Sequence, residues 1–204
     1  MDAFKKIIPL LAERLSKSGS AILFGSHERI PIRSEGFSQI VGSVGKRMVF
    51  VDAGNGEVLS GPNVTLSFMR LAAIWYEKNV RVERDVSEFL VVVIAYQKGL
   101  DLGFEARLLS PKGEEVRSWH FDATDQFLCS GGRRTEPVAV VGYVRKLLEI
   151  EKMVSLVPRL DRGDMIIRDG DLEAQGVLLE QVKLALKTQA QNRSVLIIGV
   201  SKTS

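Results

Sequence analysis

The chain is poor in the residues from which thiol and imidazole sites are built. Its 204 residues hold one cysteine, Cys129, and two histidines, His27 and His120. A single cysteine excludes an internal disulfide framework and any thiolate zinc cluster, and it suits a reducing cytosol. Two imidazoles argue against a zinc or iron site built from histidine. Long hydrophobic runs are missing too. No stretch of about 18 uncharged apolar residues is present, so no membrane-spanning helix is expected. The opening MDAFKKIIPLLAERL carries acidic residues and lacks a small-residue cleavage site, which is not the pattern of a signal peptide. Neither sign of charge dominates. A net charge of +3 is compatible with nucleic acid but carries little weight alone. What remains, 45% hydrophobic and 26% charged residues, is ordinary for a soluble globular chain with one main domain. Any metal would therefore be held by carboxylate oxygens, which favours Mg²⁺ or Mn²⁺.

The most informative stretch is Arg47–Glu57, RMVFVDAGNGE. An apolar, strand-like run stops on Asp52 and turns through glycine and asparagine. A carboxylate at the tip of a buried strand is costly to desolvate unless a cation or hydrogen-bond donors meet it. Met165-Ile166-Ile167-Arg168 followed by Asp169-Gly170-Asp171 repeats the arrangement far downstream. Two strand-end aspartates so distant in sequence suggest one metal site assembled by the fold.

The rest of the pattern supplies that fold. Residues 2–17 read as an amphipathic helix, with Phe4, Ile7, Ile8, Leu11 and Leu15 on one face. Strands are predicted at Met48–Val51, Val64–Tyr76, Ser87–Gln97, Leu102–Leu109 and Val116–Phe121, forming an antiparallel meander of five. Ser110-Pro111-Lys112-Gly113 is a hairpin turn signal. The period then becomes helical over Pro137–Leu156. A strand at Asp164–Arg168, a helix at Leu172–Ala190 and a strand at Ser194–Val200 follow, a β–α–β tail that implies parallel pairing. The expected class is α/β, a mixed sheet of antiparallel meander and parallel strands flanked by helices.

On a wheel of the 137–156 helix, Val140, Val141, Val144, Leu147, Leu148 and Val154 share a face with Glu151. Glu149 falls among Arg145, Lys146 and Lys152 and reads as part of a solvated surface. Glu151 is thus the expected inward carboxylate, although an ion pair or backbone hydrogen bond would equally explain it. Asp171, immediately before Leu172, suits a helix N-cap and leaves Asp169 as the strand-end carboxylate. Asp52 could equally belong to a turn, since Asp-Ala-Gly-Asn-Gly is a good turn sequence. Three converging carboxylates repel one another until divalent cations sit between them, and such a cluster can activate water at a scissile phosphate. The last strand, Val195 onward, delivers Lys202 at its end, where an ammonium could hold a phosphate oxygen.

Together VDAGNGE at 51–57, the apolar strand with an arginine at Leu66–Ile74, a Glu-bearing helix, IIRDGDL at 166–172 and IIGVSKTS at 197–204 resemble the NurA nuclease family. The resemblance covers residues 46–204 and leaves 1–45 as an N-terminal helix and extension. It implies a ribonuclease-H-like core and a manganese-dependent (or Mg²⁺-dependent) nuclease acting on single- and double-stranded DNA. It also implies a cytoplasmic homodimer that works with a HerA-type hexameric ATPase in DNA end resection. By motif position, Asp52, Glu151 and Asp169 would hold the metal, with Glu149 the competitor for the helix position, and Lys202 would match the family's lysine. Family members continue beyond this strand and add a histidine and an aromatic to the site. A C-terminally truncated domain is therefore expected. Two other readings fit the opening motif. One is a NurA-like subunit that docks on DNA or an ATPase without cutting. The other is an actin- or sugar-kinase-like nucleotide-binding fragment, disfavoured because 204 residues cannot hold the duplicated domain such enzymes need.

Overall fold

The structure is a computed structural model and describes residues 21–24, 28–31, 45–129 and 135–201. The expected helix at 2–17 and Lys202 lie outside these residues. The chain divides into two units, Met1–Ser43 and Val44–Ser204. Within the first, β1 (Ala21–Phe24) and β2 (Glu28–Pro31) pair antiparallel.

The second unit is built on a seven-stranded mixed sheet. Its strands are β3 (Arg47–Gly61), β4 (Val64–Glu77), β5 (Val80–Lys98), β6 (Asp101–Leu109), β7 (Glu115–Asp122), β8 (Met165–Asp169) and β9 (Leu196–Val200). The helices are α1 (Pro137–Leu156) and α2 (Val177–Arg193). The spatial order is β7-β6-β5-β4-β3-β8-β9. Strands β3 to β7 form the antiparallel meander, whereas β8 pairs parallel with both β3 and β9. An antiparallel run from β5 to β3, then α1, then parallel β8 and β9 on the far side of β3, is the mixed sheet expected from the sequence pattern and the ribonuclease-H-like arrangement that the resemblance implies. β6 and β7 extend it at one edge.

Strand alternation explains the core. In β4 every second residue from Thr65 to Trp75 is buried, and Val49, Val51 and Ala53 do the same in β3. With period-2 geometry this puts one face of the sheet against α1. Helices α1 and α2 pack on each other and share one apolar cluster with that face. On the opposite face Phe50, in edge contact with Tyr76, is 40% exposed. Val195–Val200 reads as a strand buried on both faces, but Leu196, Ile198 and Val200 of the edge strand are 54%, 36% and 49% exposed.

Several boundaries differ from the sequence expectation, among them the start of β5, which lies at Val80 rather than Ser87 because β4 pairs with it from there on. β3 does not stop at Asp52. It runs on to Gly61, because β4 pairs with it throughout, and the chain reverses only at Pro62-Asn63. α2 begins at Val177 rather than Leu172. Gly176, with φ of 87°, starts the helix, and the Phe127 ring lies 2.9 Å from where a Cβ at Gly176 would stand. Asp171 is accordingly no N-cap. It accepts a hydrogen bond from Glu173 N at 2.9 Å and pairs with Lys146 at 2.9 Å.

The turn after β8 lies directly over β9. A Cβ on Gly199 would stand 2.8 Å from Gly170 O and 3.2 Å from Leu172 N, both backbone atoms that cannot swing aside. Gly199→Ala is therefore expected to destabilise the unit by about 1–3 kcal/mol, as overpacking does. A urea melt would register this as a lower midpoint at unchanged slope.

Candidate active site

The parallel ladder between β3 and β8 ends with Val51 opposite Arg168. One residue further along each strand come Asp52 and Asp169. Both are exposed, and both belong to the side of the sheet away from Val51 and Arg168. Asp169 is the last residue of β8, and β9 ends beside it, with Asp169 opposite Val200. The carboxyl ends of adjacent parallel strands are where open α/β sheets place their ligands.

Beyond Val51 the β3 backbone loses its β8 partner, and side chains from α1 take over. Glu149 Oε1 accepts a hydrogen bond from Ala53 N at 3.2 Å, and Arg145 Nη1 donates to Ala53 O at 3.0 Å. Glu149 is fully buried. Its Oε2 accepts from Arg168 Nε at 2.7 Å and also from Arg168 Nη2. Arg168, 4% exposed, points to the same side as Val51 and passes a further hydrogen bond from Nη1 to Asp171 O. Burial pushes the Glu149 carboxyl above its ordinary value. The cations Arg168 and Arg145 pull it down, and Asp52 adds a smaller upward push. The hydrogen bond from Lys146 leads the causes that hold Asp171 below the usual carboxylate range.

At their other ends the same strands are tied by buried Asp164, which accepts from Arg47 N at 3.0 Å, Arg47 Nε at 3.3 Å and Asp161 N at 3.0 Å. The parallel pair is thus fastened at both ends by a carboxylate and an arginine.

The inward glutamate is Glu149, not Glu151. Glu151 lies partly exposed and pairs with Arg117 of β7 at 2.8 Å. The wheel misled because it assumed one buried face. α1 is covered by the sheet on one side and by α2 on another, so residues on most of its circumference are buried. A signal for Glu149 did exist. Arg168 shares the strand parity of buried Ile166, so an arginine faces the core and requires a buried acid.

The structure therefore puts Asp52 and Asp169 one residue past the end of the same ladder and sets Glu149 on the α1 side of the sheet, engaged by Arg168. Among the described residues no three His, Cys, Asp or Glu side chains are placed to share a metal ion. Two carboxylates are donors of the hard-oxygen type that Mg²⁺ and Mn²⁺ take.

No protein-family model and no curated protein matches the sequence. Among solved structures, the N-terminal RNase H domain of a Mycobacterium tuberculosis protein, determined as a fusion with maltose-binding protein, is 8% identical. The alignment covers 76% of this chain and 88% of that one, with a TM-score of 0.26. So loose a superposition leaves the fold to rest on the strand order. No helix among the described residues is long and apolar enough to cross a membrane.

Proposed function

We propose that the chain is a metal-dependent deoxyribonuclease of the NurA type, with Asp52 and Asp169 as the carboxylates that meet Mn²⁺ or Mg²⁺. The observation that carries this reading is that Asp52 and Asp169 each follow directly on the last paired residues of the β3–β8 ladder, Val51 and Arg168, on the exposed side of the sheet. A bound divalent cation there would activate water and offset the charge that develops on a scissile phosphate. The chain's own residues do the rest. Asp52 and Asp169 would fix the position of that charge. Lys202, just past β9, would supply an ammonium for a phosphate oxygen. On this reading the substrate is single- or double-stranded DNA, cut as an exonuclease and endonuclease. The setting is end resection in the cytoplasm, as a homodimer with a HerA-type ATPase.

A labelled linear duplex incubated with the chain and Mn²⁺ should shorten, and excess chelator should stop it. One observation favours a second reading, a NurA-like subunit that docks without cutting. The helix glutamate, instead of opening onto the site, is engaged by Arg168. Metal-independent DNA binding with no shortening would support that reading. ATP binding with no degradation would point to the kinase-like alternative.

A further inference from the structure

Glu149 touches both halves of the candidate site without facing it. Its Oε1 meets the backbone of Ala53, the residue after Asp52. Its Oε2 meets Arg168, the residue before Asp169. Through Nη1, Arg168 in turn reaches Asp171 O and so holds the turn that follows Asp169. That turn leaves little room for the arginine to move. A Cβ on Gly170 would stand 3.1 Å from Arg168 Nη1, and Lys146 pins Asp171 from α1. One carboxylate thus ties the main chain beside each aspartate to the other, at the point where the β3–β8 ladder has run out.

A buried ion pair is an expensive way to fill this space, because well-packed apolar side chains of similar volume are often as stabilising or more so. What apolar side chains cannot do is hydrogen-bond the Ala53 amide and the Asp171 carbonyl together. We propose that Glu149 and Arg168 are positioning residues that set the spacing of Asp52 and Asp169 and thereby the affinity of the site for a divalent cation. Glu149 itself is not a ligand. This rests on the reading of Asp52 and Asp169 as the metal carboxylates.

The sign of one effect separates the possibilities. Mn²⁺ binding is measured by electron paramagnetic resonance titration of the 204-residue protein without DNA, alongside thermal melts. If Glu149 positions the aspartates through Arg168, Arg168→Met weakens Mn²⁺ binding tenfold or more. If Glu149 is a ligand restrained by Arg168, the same substitution frees it, and binding tightens or stays unchanged. That result overturns the proposal. The double variant Glu149→Leu with Arg168→Met covers the event that Arg168→Met alone fails to fold. It should melt well above Glu149→Leu alone and still bind Mn²⁺ at least tenfold more weakly than the wild type. A double variant with wild-type melting and wild-type Mn²⁺ affinity shows that the pair is structural only, and overturns the proposal as well. Asp52→Asn is the control for the site itself. If Asp52→Asn leaves Mn²⁺ binding intact, the site reading fails. If it abolishes binding while Arg168→Met does not weaken it, only the positioning role fails.

Discussion

Asp52→Asn is expected to lower Mn²⁺-supported DNA cleavage by about three orders of magnitude, the loss of roughly 4 kcal/mol of metal-borne charge stabilisation. The fold should barely notice. Asp52 projects from the exposed side of β3, away from the apolar cluster, and its pairing with Ala72 is made by backbone. Surface substitutions of this kind shift stability by about 0.5 kcal/mol or less. Removing the charge also relieves a small repulsion on buried Glu149, so any shift in melting should be upward. Cleavage and melting temperature measured on one preparation give the check. Retained cleavage, or a collapse of both together, would remove Asp52 from the chemistry.

The largest effect on stability is expected at Glu149. Glu149→Leu strands the Arg168 guanidinium in a site where it is 4% exposed, and it also strands the Ala53 amide. Breaking a buried pair from one side costs about 3–5 kcal/mol. For a domain of this size that lowers the melting temperature by about 10 °C. Adding Arg168→Met should recover most of the loss, and a cycle of the two single variants and the double measures the coupling.

The pH dependence has a definite sign. Burial raises the folded-state pKa of Glu149 above its unfolded value, so folding makes its carboxyl easier to protonate. The stabilisation this brings is complete below the unfolded value and is lost as pH rises through the folded one. Glu149→Gln lacks this contribution. The stability of the wild type minus that of Glu149→Gln should therefore shrink as pH rises above the ordinary carboxylate range. A difference that grows with pH would mean that the attraction of Arg168 outweighs burial.

The sequence by itself determined the order of elements from β3 onward, since that order rests on local period and turn chemistry. The five-stranded meander, the hairpin at Ser110–Gly113, the helix at Pro137–Leu156 and the parallel β–α–β tail all follow from it. It also brought Asp52 and Asp169 into one hypothesis, because a carboxylate ending an apolar run is a local anomaly. The tertiary structure alone decided the rest. The strand through Asp52 continues because β4 lies alongside to accept its hydrogen bonds, which no local turn signal can reveal. Glu149 is the inward acid because α1 is covered by the sheet and by α2, and a wheel drawn for one buried face cannot represent two. Arg168 is its partner because strand parity and the β3–β8 register aim the guanidinium under the helix. Register and layer packing are long-range properties. They fix which charges meet in the dry side of a sheet and which are left facing water.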